Sequence, residues 1–308
     1  TRDYVKAMTV VLPNGEITRF GATVSKTSSG YSLLNLMIGS EGTLGVITEM
    51  TLKLIPAPKA TVSLIVPFED LSACISTVPK FKMNHFNPQA IEFFEKEILV
   101  SSEEYLGKQV FPRKVEGTEV GAYLLLTFDG DSQDELDNIV EQVAELLLEE
   151  GALDVLVADT PPKMKDAWAA RSSFLEGIEE QTKLLDECDV VVPRDRIAAF
   201  VKRSVEIGRE LGVRICSFGH AGDGNLHLYV CRDGLTEEAW PEAVGRAMER
   251  LYAQARALGG EVSGEHGIGH AKRAFLSESL GERQLALMRG IKAAFDPNGI
   301  LNPGKVVS

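Results

Sequence analysis

The chain has 308 residues, 44% of them hydrophobic, and carries a formal net charge of −13. That length supports two domains with a real core, and no run of eighteen apolar residues marks a membrane span. The acidic balance argues against nucleic acid or an anionic lipid surface as a partner, and any anionic substrate would need local Arg, Lys or metal to overcome it.

The opening Thr1-Arg2-Asp3-Tyr4 has no initiator Met and no apolar stretch behind it, so it is not read as a signal peptide. The β-prone Ala7–Leu12 and Glu16–Phe20 flank a Pro13-Asn14-Gly15 turn. Ser32–Ile38 is apolar at helical spacing, Gly39–Gly45 is glycine-rich, and Val46–Ile55 alternates as a strand. Pro56-Ala57-Pro58 ends that strand and marks a domain boundary, so residues 1–58 form the first domain. Strands are expected at Thr61–Val66, Ala90–Phe94, Tyr123–Phe128 and Asp154–Val157, with helices at Leu71–Phe81 and Asp134–Glu149. This β-α-β-β-α-β order predicts a ferredoxin-like sheet within an α+β fold. Helices follow at 165–181 and 196–211, then strands at Val213–Ser217 and Leu226–Cys231. Residues 236–258 and 280–295 read as amphipathic helices, and Asp296-Pro297-Asn298-Gly299 stops the second. Domain two is thus placed at 59–280 and a C-terminal helix with its tail at 281–308.

The four cysteines, Cys74, Cys188, Cys216 and Cys231, contain no CxxC pair. A four-cysteine zinc site or iron–sulfur cluster is therefore not expected, and scattered thiols fit a reducing, cytoplasmic setting. Two glycine-rich turns hold four of the five histidines. One is Gly219-His220-Ala221-Gly222-Asp223-Gly224-Asn225-Leu226-His227, which can fold back so that both imidazoles meet. The other is Ser263-Gly264-Glu265-His266-Gly267-Ile268-Gly269-His270. Two histidines and one glutamate form a ligand set for a divalent metal with an open position; the alternative is a polar hydrogen-bonded cluster. Arg171 reads either as a solvated helix arginine or as a fork for a carboxylate. Arg194 is a weaker candidate that could simply pair with Asp195. Gly39–Gly45 suggests a backbone approached by a large ligand. It is not a GxxxxGK phosphate loop, and neither a GxGxxG fingerprint nor a GxSxG elbow occurs.

Four stretches, taken together, resemble the flavin-linked oxidases that include bacterial glycolate oxidase flavoprotein subunits, D-lactate dehydrogenases and D-2-hydroxyglutarate dehydrogenases. They are IGSEGTLGVITEMTLKLIP from Ile38, DVVVPR from Asp189, GHAGDGNLH from Gly219 with SGEHGIG from Ser263, and AFDPNGILNPGK from Ala294. The resemblance implies a two-part FAD-binding domain of the vanillyl-alcohol-oxidase kind, plus a ferredoxin-like cap with added helices. Residues 1–58 would be the second half of the flavin domain, the first half lying outside this chain, so that the chain alone would hold FAD weakly and could be inactive. Gly39, Ser40, Glu41, Gly42, Thr43, Leu44, Gly45 and Ile47 would line the FAD, with Asn302 near its ring. His220, His227 and Glu265 would hold a metal, zinc first and manganese or iron next. His266 would be the catalytic base and Arg171 the clamp on the substrate carboxylate.

The function so implied is oxidation of a small D-2-hydroxy acid to the 2-keto acid, with hydride transfer to FAD. The 2-hydroxyglutarate branch carries a Thr and a Lys where this chain has Leu175 and Glu187, which argues for a monocarboxylate such as lactate or glycolate. Expected partners are the hydroxy acid, an electron-accepting iron–sulfur protein or flavoprotein, and a second copy in a homodimer. The expected place is the cytoplasm, with peripheral attachment to the inner membrane through a partner. Rival readings are a metal-dependent hydrolase or lyase on the same two-histidine, one-glutamate site, a non-catalytic subunit built on the same cap, and an ether-lipid synthase relative.

Overall fold

The computed structural model of the chain describes residues 2–182 and 184–307; Thr1, where the N-terminal reading begins, lies outside them. Two compact units are formed: Thr1–Ala57 with His266–Ser308, and Pro58–Glu265. The chain therefore leaves the first unit at Pro58 and re-enters it at His266, fifteen residues before the expected return at 281. The physical reason is that Glu41 accepts hydrogen bonds from Ile268 and Gly269, drawing the turn into the first unit.

In the first unit, β1 (Val5–Val11) lies between β2 (Ile17–Gly21) and β3 (Val46–Leu52) in an antiparallel sheet. The short helix α1 (Leu33–Met37) is capped by the Ser32 hydroxyl, which accepts from Asn35 N–H. Met8, Val10, Phe20, Met37 and Leu44 form a small core, against which Ile291 and Phe295 of the C-terminal helix (Arg273–Phe295) pack. Lys292 of that helix is buried and donates to Thr43 O at 2.9 Å and Leu301 O at 2.7 Å, while pairing with Asp296. Burial pushes the Asp296 carboxyl up, but Lys292 and the N–H groups of Leu301 and Ile300 outweigh it and hold it below the ordinary carboxylate value.

The second unit opens with β4 (Ala60–Phe68), α2 (Leu71–Ser76), α3 (Val78–Met83), β5 (Ala90–Glu95) and α4 (Lys96–Leu106). A small hairpin of β6 (Lys114–Val115) and β7 (Thr118–Glu119) leads to β8 (Ala122–Gly130), α5 (Gln133–Glu149) and β9 (Leu156–Ala158). Then come α6 (Pro161–Ser172), α7 (Phe174–Gln181), β10 (Leu185–Val191), α8 (Ile197–Leu211), β11 (Arg214–His220), β12 (Asn225–Cys231) and α9 (Trp240–Ala257). The sheet order is β10-β12-β11-β5-β8-β4-β9, antiparallel throughout. Its β5-β8-β4-β9 portion is the expected ferredoxin-like β-α-β-β-α-β arrangement, and β11, β12 and β10 extend it. Helices α4, α6 and α7 pack onto Phe94, Tyr123, Phe218 and Tyr229 of one sheet face. Phe94 meets Phe111, Tyr123 and Phe174 at centroid distances of 5.5, 5.6 and 4.8 Å, and Phe174 passes the contact on to Phe218 at 5.1 Å. This aromatic row is the floor on which the site is built.

Several expected elements are corrected. The helix at 71–81 is two, because Pro79 has no N–H to donate and the ladder breaks near Thr77. The helix at 165–181 is two, because the Ser102 hydroxyl takes the Ala170 carbonyl that the Phe174 N–H would use. The helix at 280–295 begins at Arg273 and is interrupted at Gly281, where φ is 73°, and that at 236–258 begins only at Trp240. Helix α4 and strand β10 were not foreseen. No helix among the described residues is long and apolar enough to cross a membrane.

Phe94 is fully buried and central to the aromatic row. Phe94→Ala should destabilise the second unit by about 3–5 kcal/mol. A urea titration followed by tryptophan fluorescence should show the midpoint falling with the slope unchanged.

Candidate functional site

The Ala221–Gly224 turn joins β11 to β12, and its register pairs Phe218 with His227 and His220 with Asn225. Directly paired residues share a sheet face, and so do residues two apart on a strand. His220 and His227 therefore stand on one face, with ring centroids 5.4 Å apart and planes at 89°. The same pairing carries across the sheet: β5 sets Glu92 beside His220, and β10 sets Asp189 beside His227 and Glu187 beside Tyr229. Three acids thus face the two imidazoles.

Glu92 is buried, and both of its oxygens are engaged. One faces His220 Nδ1 at 2.7 Å and the other accepts from Arg171 Nε at 2.8 Å. Burial pushes the Glu92 carboxyl up, but His220 and Arg171 outweigh it, so it stays ionised with its pKa below the ordinary value. In turn, the Glu92 hydrogen bond holds the His220 pKa above its ordinary 6.5. Arg171 lies over Phe218 and Phe174, 5.0 and 5.4 Å from their centroids. Its terminal nitrogens make no hydrogen bond to any described residue, so its free edge can grip a carboxylate.

Asp189, fully buried, accepts from the Ser263 hydroxyl at 2.8 Å and from the N–H groups of Gly264 and Glu265. This anchors the turn that carries Glu265. Glu265 Oε1 lies 3.1 Å from His227 Nε2 and 3.6 Å from His220 Nε2. One donor atom from each of the three residues falls within 4.8 Å of the others. Donors on a tetrahedral zinc stand about 3.3 Å apart, so this set fits a divalent metal. The surroundings fit as well. His220 Nδ1 faces Glu92, and His227 Nδ1 lies 3.3 Å from Glu187 Oε1, turning each Nε2 inward. Glu187 also accepts from the Tyr229 hydroxyl at 2.9 Å. A cavity of about 570 Å³ opens beside Glu92 and His220, with Lys82, Phe86 and Arg194 also on its wall. Arg194 does not pair with Asp195, whose carboxylate meets Arg196 instead.

The remaining expected site residues belong to the first unit. Of the loop, Ser40, Thr43, Leu44 and Gly45 are buried, and Leu44 is part of the core. The open side belongs to Gly39, Glu41, Gly42 and Ile47. Asn302 Nδ2 donates to Glu41 O at 2.6 Å, and a Cβ on Gly42 would come within 2.6 Å of that nitrogen. Loop and tail are thus brought together, beside the exposed apolar Val46, Ile47 and Met50 of β3. A bare backbone turn next to apolar side chains suits a large, partly aromatic ligand. His266 is exposed and is the residue at which the chain re-enters the first unit; His220, His227 and Glu265, the candidate metal donors, all belong to the second. Glu92 escaped the sequence reading, although a lone acid between Ile91 and Phe93 in an apolar strand was its signal.

Residues 57–306 match the family described as FAD linked oxidases, C-terminal domain. The chain is 61% identical over 306 residues to a D-lactate dehydrogenase of Anaerostipes hadrus, covering 99% of this chain and 64% of that protein. It is 36% identical to the glycolate oxidase subunit GlcD of Bacillus subtilis (strain 168), covering 99% of this chain and 63% of that protein. The chain thus spans less than two thirds of the length of these relatives. Among solved structures, p-cresol methylhydroxylase with substrate bound shares the fold, with a TM-score of 0.71 at 18% identity over 99% of this chain and 65% of that one. An α+β flavoenzyme fold of this kind is what the sequence reading expected.

If Glu92 orients His220, Glu92→Gln should weaken zinc or manganese binding by about 10–100-fold. Competition with a chromogenic chelator would measure this; an unchanged affinity would mean that His220 is oriented without Glu92.

Proposed function

This chain belongs to the FAD linked oxidases, and we propose that it forms the larger part of a flavin-dependent dehydrogenase oxidising a small D-2-hydroxy acid to its 2-keto acid. The observation that carries this reading is the shared Glu92 carboxylate. It joins Arg171, whose terminal nitrogens would take a substrate carboxylate, to His220, which would help hold a metal for the neighbouring hydroxyl.

His220, His227 and Glu265 would hold the metal, and the open side of Gly39–Gly45 with Ile47 and Asn302 would hold FAD. When bound, these groups supply a Lewis acid for the substrate hydroxyl and an acceptor for the Cα hydride. Arg171 binds the substrate carboxylate through its terminal nitrogens, while Glu92 fixes its angle through Nε. His266 accepts the hydroxyl proton on an imidazole nitrogen, in the manner of a general base. Glu187, close to His227 and Tyr229, repels a second carboxylate, and Leu175 offers that carboxylate no partner. A monocarboxylate such as lactate or glycolate is therefore the substrate we favour, and the resemblance to a D-lactate dehydrogenase supports the same choice. GlcD is named as a subunit; by analogy, electrons pass from this protein to an iron–sulfur protein or a second flavoprotein.

The test is anaerobic mixing of the full-length protein with D-lactate, followed by flavin absorbance, beside metal analysis. His266→Ala should slow flavin reduction by about 10²–10⁴-fold while substrate still binds. His220→Ala with His227→Ala should remove about one metal per chain. A full-length protein with no visible flavin spectrum would instead favour the hydrolase or lyase reading. Native-rate reduction in His266→Ala would remove that residue from the role of base.

A further inference from the structure

We propose that Glu41 is a positioning residue for His266, acting through the turn that follows it; the inference rests on reading His266 as the base. Glu41 belongs to the glycine-rich loop expected to line FAD, yet its carboxylate is engaged within the protein. Oε1 accepts the N–H of Ile268 and Oε2 accepts the N–H of Gly269, both at 2.7 Å. The next residue toward His266 is Gly267, with φ of 84°, and a Cβ there would lie 2.8 Å from Glu41 Oε1. The carboxylate is thus closed tightly over the turn, and only glycine leaves room for it.

Residues 266–269 form neither helix nor strand. Nothing in regular secondary structure sets the direction of the His266 side chain, so the turn must be held by other means. A carboxylate bridging two successive N–H groups does this with two charge-assisted hydrogen bonds. Glu41 itself is held from behind, since its carbonyl accepts from Asn302 Nδ2 at 2.6 Å. Its own φ is 51°, a left-handed conformation that costs energy for any residue with a Cβ. The strain is offset by what the side chain reaches. Val306 N–H donates to Gly269 O at 2.9 Å and closes the far end of the same turn. The loop, the tail and the turn behind His266 are therefore tied together, and Glu41 is the residue common to all three.

The test is a double-mutant cycle in the full-length protein with Glu41→Ala, Glu41→Gln, His266→Ala and the Glu41→Ala, His266→Ala pair. Flavin reduction by D-lactate, substrate affinity, FAD content and amide hydrogen exchange of the 266–270 segment are read together. Glu41→Ala should slow reduction by about 10²-fold, the order expected of an ångström-scale misplacement, with FAD content and substrate affinity retained. Glu41→Gln, which keeps one accepting oxygen, should recover part of the rate. On the His266→Ala background Glu41→Ala should cost nothing further, because a group that acts through another is silent without it. Exchange at Ile268 and Gly269 should speed up in Glu41→Ala with or without His266. An equal loss on both backgrounds overturns the inference, as does loss of FAD with an unchanged rate per bound flavin. Native-rate reduction in His266→Ala overturns the base assignment instead, while the exchange data still report whether Glu41 holds the turn.

Discussion

A carboxylate held inside an apolar sheet must be met by charge or hydrogen bonds, and Glu92 is met on both sides, by a guanidinium and by an imidazole ring. Its side chain is 5% exposed, with Arg171 on one oxygen and His220 on the other. Each partner is fixed by elements that exist for other reasons. His220 ends a strand whose register is set by the hairpin, and Arg171 rises from a helix that packs on Phe174 and Phe218. Removing either would leave one oxygen of the buried carboxylate without its partner, which is costly in so desolvated a place. The aromatic row, the strand register and the ion network therefore hold one another in place.

The turn from Ser263 to Gly269 follows a related logic with backbone groups. It has no ladder of its own, so its N–H groups are satisfied by carboxylates distant in sequence. Asp189 takes those of Gly264 and Glu265; Glu41 takes those of Ile268 and Gly269. Between them stand Glu265 and His266, adjacent in the chain but belonging to different compact units. A loop so anchored gains the precision of a strand while keeping the freedom to present two side chains in succession.

The cluster of His220, His227 and Glu265 was legible as a candidate because histidines are scarce here and glycine turns stand out. The β-α-β-β-α-β core was legible because its strands alternate or run apolar between clear breaks. Strand β10 was not, and the cause is chemical. Asp186, Glu187 and Asp189 interrupt its apolar pattern, and Glu187 and Asp189 do so because the site draws on them. The same holds for Glu92 and Glu41, whose roles depend on partners 79 and 227 residues away. Helix α4 was hidden by Ile98, Val100 and a Ser101-Ser102 pair, which favour other local structure until packing overrides them. The broken helices needed only Pro79 to be weighed more heavily in one case, but in the other the cause was the Ser102 hydroxyl, invisible without contacts.

The division of the first unit into two stretches of chain also governs how the protein matures on the ribosome. Thr43 waits for Lys292, 249 residues later, before its carbonyl is bound and the small core can close. At elongation rates of about 5–20 residues per second, that delay is roughly 12–50 s. Throughout it, Val46, Ile47, Met50 and Leu52 sit on an edge strand with the core beneath them unfinished. The second unit is one continuous stretch and can close as soon as Glu265 has left the exit tunnel. The nascent chain thus carries a finished second unit and an unfinished first one, and it is the first unit that a chaperone would have to shield.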